Sequence, residues 1–130
     1  FIGSPSINLI NADIAEGKTS IGEDLVFKNI VQAPNGPITL GIRPEDIVLQ
    51  DSQTDGLKGN IEFTEPQGGV IHAFVKLEHS ERYLKNRDYL VVSMDVHESV
   101  NIGAAVGIRF REDRTNYFDV KTGQSVETRR

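Results

Sequence analysis

The stretch LKGNIEFTEPQGGVIHAFVKL, residues 57–77, decides the fold. Leu57 to Thr64 reads as a strand, with Ile61 and Phe63 on one face. Val70 to Leu77 alternates more regularly and turns Ile71, Ala73, Val75 and Leu77 to one side. Between them Gly68-Gly69 forms a turn or bulge, because paired glycines permit positive φ. Pro66 cannot donate to a strand ladder, so it belongs where one partner is missing.

Working outward, the same period recurs in short segments punctuated by turn residues. Ile38 to Ile42, Tyr89 to Met94, Ala104 to Phe110 and Asn116 to Val120 read as strands, and Lys121-Thr122-Gly123 as a turn. Ser6 to Ile14 alternates imperfectly, with Ile7, Leu9 and Ile14 as its inward candidates. Gly22-Glu23-Asp24 reads as a turn and Pro34-Asn35-Gly36-Pro37 as a loop. Pro44-Glu45-Asp46 fits one helical turn, with proline first and acids at its positive end. Glu78 to Asp88 holds good helix formers and is either a helix or a loop with a short strand. Many short strands predict an all-β fold, a barrel or sandwich with short helical turns. Its inward set is Ile61, Phe63, Ile71, Val75, Leu90, Val92, Ile108 and Phe110.

The chain has 130 residues, enough for a single domain spanning 1–130 with a modest core. Its net charge of −5 argues against nucleic acid, because binding phosphates needs an excess of Lys and Arg. The absence of Cys excludes disulfides, thiolate metal sites and thiol nucleophiles. No run approaches the roughly 18 apolar residues that span a bilayer. The chain opens on Phe1 with no basic segment before an apolar run, which predicts a fragment of a longer protein rather than a signal peptide.

Candidate chemistry is sparse. Glu16-Gly17-Lys18-Thr19 ends like a phosphate-binding loop, but position 12 is Ala where that motif needs Gly. A turn follows instead of a helix, so a hairpin tip is expected there. His72, His79 and His97 match no metal-ligand spacing. Ser4 lies in Gly-Ser-Pro without the second Gly of a nucleophile elbow. Arg109, Arg111, Arg114, Arg129 and Arg130 alternate with Phe110, Tyr117 and Phe118, but Glu112, Asp113 and Asp119 dilute the charge. Arg43 beside Glu45 and Asp46 is the most informative polar cluster: mainly structural, with Arg43 paired to a nearby acid or a carbonyl, or else a guanidinium for an interface or an anion.

Four phrases in order resemble a known family. They are Phe-Ile-Gly-Ser-Pro at 1–5 with Asn8 behind it, Leu-Gly-Ile-Arg-Pro-Glu-Asp at 40–46, Glu-Pro-Gln-Gly-Gly at 65–69, and a close running from Gly-Ile-Arg-Phe to Tyr-Phe-Asp-Val-Lys-Thr-Gly. Together they are similar to the C-terminal regulatory, TOBE-type domain of ATPase subunits of ABC importers, the maltose and glycerol-phosphate type. The resemblance implies an OB-like antiparallel barrel that holds two ATPase subunits together and receives regulatory signals. It implies no catalysis and no cofactor in this chain; ATP and Mg would bind the parent subunit upstream. It places Phe1, Gly3, Pro5 and Asn8 at the domain junction. It makes Arg43, Pro44, Glu45, Asp46, Glu65, Gly68 and Gly69 candidates for interface or regulatory contact. The implied partners are a second copy, permease subunits reached through the ATPase domain, and a regulatory protein or small ligand. The implied location is the cytoplasmic face of the plasma membrane, with sugar or a related solute as cargo. An OB module binding a small anion or an oligonucleotide is the alternative.

Overall fold

The structure, a computed structural model, describes residues 7–85, 87–98 and 101–128. Its strands form two antiparallel sheets. The first takes β1 (Asn8–Ala15), β2 (Lys18–Ile21), β3 (Leu25–Ile30), β4 (Gly36–Ile42) and β10 (Asn116–Phe118), in the order β10-β4-β1-β2-β3. The second takes β5 (Ile47–Asp51), β6 (Leu57–Gln67), β7 (Val70–Leu77), β8 (Leu90–Asp95) and β9 (Ala105–Phe110), in the order β5-β9-β6-β7-β8. The fold is all-β and OB-like as expected, but the sheets remain open and do not close into one ring.

The inner faces of both sheets share one core. Ile10, Ile14, Ile21, Leu40 and Ile42 come from the first sheet, and Val75, Leu90, Val92, Ile108 and Phe110 from the second. Phe27 of β3 meets Phe110 of β9 with ring centroids 6.3 Å apart, a tilted contact that joins the sheets directly.

Two phases differ from the sequence expectation. Ile61 faces the core but Phe63 does not, being 39% exposed. The β6–β7 register slips between Ile61 and Phe63, so an extra residue reverses the alternation. Phe63 instead stacks on Phe74 across the strand pair at 4.5 Å and meets Tyr89 edge-on at 5.3 Å. In β1 the inward positions are Asn8, Ile10, Ala12 and Ile14, while Ile7 and Leu9 are half-buried on the outer face. The misreading comes from Asn8, a polar residue that is wholly buried. Ile71 is likewise only half-buried.

Among its described residues the Glu78–Asp88 segment contains one helical turn, α1 (Ser80–Tyr83). Its Tyr83 is buried, and the phenol donates to Asp24 Oδ2 at 2.7 Å. That bond to a carboxylate, together with burial, raises the Tyr83 pKa above its usual value. Gly22 lies under the ring: its φ is +57°, and a Cβ there would come within 2.6 Å of the Tyr83 hydroxyl. No helix among the described residues is long and apolar enough to cross a membrane.

Candidate functional site

Asn8 joins the two sheets. It stands opposite Ile42 in the β1–β4 ladder, and its Nδ2 donates to Ile42 O at 3.1 Å. The same amide donates to Val91 O at 2.9 Å and accepts from Val91 N at 2.8 Å. Val91 lies on β8, the edge of the second sheet. One side chain therefore closes a strand edge that no ladder partner among the described residues covers. Of the four expected junction residues, Asn8 has this structural assignment; Phe1, Gly3 and Pro5 lie outside the described residues.

Arg43 follows Ile42 directly. The proline after it holds Arg43 extended, at φ −75° and ψ 151°. Pro44–Asp46 then makes a 3₁₀ turn, with Asp46 N donating to Arg43 O at 2.9 Å and Arg111 N donating to Asp46 O at 2.9 Å. Pro44 and Asp46 point inward, and Arg43 and Glu45 are exposed. The turn packs on β8. Arg43 engages no acceptor among the described residues.

Glu65, Gly68 and Gly69 are exposed at the tip of the β6–β7 hairpin. Gln67 pairs with Val70, leaving Gly68-Gly69 as a two-residue loop, and Gly68 has φ +69°. Pro66 pairs with Ile71 on one side only, because β9 accompanies β6 no further than Asn60. The tip is registered on Asp95 at the end of β8, whereas Asn8 anchors Val91 near its start. Arg43 lines a groove to which the hairpin tip contributes no residue.

Glu16 and Gly17, both at positive φ, turn β1 into β2, so the phosphate-loop-like letters form a hairpin tip. Thr19 is buried and shares a hydrogen bond of 2.8 Å with the Tyr117 hydroxyl. His72 lies on β7, His79 precedes α1 at φ +62°, and His97 is exposed. Among the described residues no three His, Cys, Asp or Glu gather as metal ligands.

Several grooves among the described residues carry charge, and two of them are large. The larger, about 850 Å³, runs between β3 and β9 past the Glu112–Arg114 turn. Lys28, Arg109 and Arg111 there face Asp24, Asp55, Glu112 and Asp113, so it is nearly neutral. Glu112 is also committed to the fold: its oxygens accept Lys28 N at 3.0 Å and Asn29 N at 2.8 Å, capping the β3 edge. The second groove, about 660 Å³, lies on the outer face of the first sheet. Arg43, Lys85 and Lys121 line it over a floor that includes Leu9 and Phe118, with Asp119 as its one acid. Asp119 Oδ1 accepts Thr122 N at 2.9 Å and Lys121 N at 2.8 Å. These bonds hold its carboxyl below the usual carboxylate range. The sequence offered Arg43 as a candidate but could not offer the groove. Its lining comes from β1, β4, the α1 loop and β10 with the turn after it, and no motif joins them.

Comparison with known proteins agrees with the fold. Residues 40–118 match the TOBE domain, and residues 3–47 match the MalK OB fold domain. The sn-glycerol-3-phosphate import ATP-binding protein of Psychromonas ingrahamii is 25% identical over 127 residues, which are 98% of this chain and 34% of that protein. The xylose/arabinose import ATP-binding protein of Haloferax volcanii is 28% identical over 144 residues, covering 100% of this chain and 36% of its own length. A putative ABC transporter ATP-binding protein of Mycoplasma pneumoniae is 25% identical, over 99% of this chain and 21% of its own length. The chain therefore spans about a third or less of these relatives. With one domain match covering most of an all-β chain whose sheets it threads from β4 to β10, the chain belongs to the TOBE domain family.

Proposed function

We propose that this chain is the non-catalytic regulatory and dimerisation domain of the ATP-binding subunit of an ABC importer for a sugar or related solute. The observation that carries the reading is the pair of domain matches, which between them run from residue 3 to residue 118. The import ATP-binding proteins that the chain resembles extend well beyond it, which leaves room for a separate motor. In this reading ATP and Mg bind that motor, a second copy meets this domain across a two-fold axis, and permease subunits are reached through the motor. The subunit then works at the cytoplasmic face of the membrane. Arg43 to Asp46 and Glu65 to Gly69 are the candidate contact segments, since Arg43 and Glu45 are exposed on a proline-fixed turn and Glu65, Gly68 and Gly69 on a hairpin tip.

Isothermal calorimetry of this chain with Mg-ATP, beside the subunit carrying the residues upstream of Phe1, tests the division of labour. Saturable ATP binding is expected only in the longer protein. Saturable binding by this chain alone overturns the reading, as does an upstream sequence without a nucleotide-binding domain.

A further inference from the structure

The groove on the outer face of the first sheet has features that neither its fold nor the proposed importer role requires. Gly41 lies beneath its floor. A Cβ there would come 2.4 Å from Phe118 Cε2 and 3.2 Å from Ile7 Cδ1, so the Phe118 ring lies directly on the bare strand. Three cations rise around this apolar floor, although the chain as a whole carries −5. They are held by different devices. Pro44 fixes the backbone of Arg43. Lys85 N donates to Leu9 O at 2.9 Å, which pins that residue to β1, and its Nζ reaches Thr39 Oγ1 at 3.3 Å. Lys121 sits in the turn that Asp119 organises.

We propose that this groove binds a small organic anion, its charged group held by Arg43, Lys85 and Lys121 and its apolar body resting on Leu9 and Phe118. Size and composition favour such a ligand over a macromolecule. At about 660 Å³ the groove falls within the range of small-molecule sites, which combine apolar walls with a few placed polar groups. The Arg43 fork offers paired donors to a carboxylate or phosphate. Lys85 keeps donors beyond the one given to Thr39, since an ammonium carries three. The one acid, Asp119, is turned to its own backbone amides, which reduces its competition for the cations. The larger groove lacks this cationic excess, because its four acids outnumber its three cations.

The proposal does not depend on what precedes this chain, and its test reads binding alone. The ¹⁵N-labelled chain is titrated with phenyl phosphate, benzoate and benzyl alcohol, three probes with one kind of apolar body and different charge. Phenyl phosphate should shift the amides of Thr39, Gly41, Phe118 and Lys121 and saturate, benzoate should bind more weakly, and benzyl alcohol hardly at all. Removing two charge-assisted donors in Arg43→Gln/Lys85→Gln should raise the phenyl phosphate Kd at least about tenfold. Both positions are exposed, so the variant's spectrum should keep its dispersion. Lys121→Gln alone, and the salt dependence of the unmodified chain, give independent readings of the charged group. Shifts that never saturate, equal binding of benzyl alcohol, or an unchanged Kd in the charge variants overturn the proposal. Shifts that follow protein concentration without ligand also overturn it, because a second copy would then fill the groove.

Discussion

Asn8 faces Ile42 across the β1–β4 ladder, and Arg43 is the next residue along. The two begin the seam between the sheets and the groove on the outer face, and their polar groups are used in opposite ways. In the seam the Asn8 amide is wholly buried and makes three hydrogen bonds to backbone, each of which would otherwise leave a polar group unpaired. In the groove Arg43 is exposed and engages no acceptor among the described residues. The fold determines the first arrangement, because a buried edge strand must be satisfied from somewhere. It does not determine the second, since an exposed guanidinium is solvated without help. Folding therefore accounts for the polar residues of the seam and leaves those of the groove available to a ligand.

Breaking the seam should have the largest effect. Asn8→Ala removes the donor to Ile42 O and to Val91 O and the acceptor for Val91 N, all in a dry environment. Leaving such groups unpaired should destabilise the chain by about 3 kcal/mol. In thermal unfolding this is a fall in Tm of roughly 10 °C or more. Asn8→Asp keeps the acceptor for Val91 N but loses both donations and buries a charge, so it should rescue little. If Asn8→Ala unfolds with nearly unchanged Tm, the shared core alone holds the sheets together.

That seam shows where sequence reasoning stops. Period-2 patterns are local, and they located most strands, including β4, β7, β8 and β9. The same logic took Ile7 and Leu9 as inward and passed over Asn8, because its partner Val91 lies 83 positions away and leaves no local trace. It also carried the phase of Ile61 through to Phe63, since one inserted bulge residue in β6 looks like any other polar position. The Pro44 turn and the Gly68-Gly69 loop were legible because proline and glycine declare their own backbone geometry. The groove was not, because four separate segments supply it and only the folded sheet brings them together.

Breaking the groove floor should matter less than breaking the seam. Gly41→Ala places a methyl group where the Phe118 ring now lies. Gly41 is buried in the central run of β4, so the strand is not free to yield and the ring must move. Overpacking of this kind should destabilise by about 1–3 kcal/mol. The Phe118 ring resonances should shift, while those of the Phe63, Phe74 and Tyr89 cluster on the other sheet should not. A fully stable variant with an undisturbed Phe118 would show that this floor is more compliant than the seam, and that the close contact places no demand on position 41.

The smallest effect belongs to the turn that carries Lys121. Asp119 Oδ1 accepts the amides of Thr122 and Lys121, and its folded pKa lies below the ordinary carboxylate value. A carboxyl depressed by folding stabilises the native state above its unfolded pKa, and that contribution is lost as pH falls through the lower, folded value. The seam contains no titrating group of this kind, since Asn8 carries no charge at any pH. Acidification from neutral toward the carboxylate range should therefore move the amide signals of Thr122 and Lys121 well before those of Val91. Asp119→Asn retains an oxygen acceptor without the charge. It should abolish the acid-dependent movement while leaving Tm nearly unchanged, because the turn is solvent-exposed. Should the Thr122 and Lys121 amides instead titrate unaltered in Asp119→Asn, another group organises the turn. Should Val91 shift in step with them, seam and groove behave as one cooperative unit rather than two regions with separate tasks.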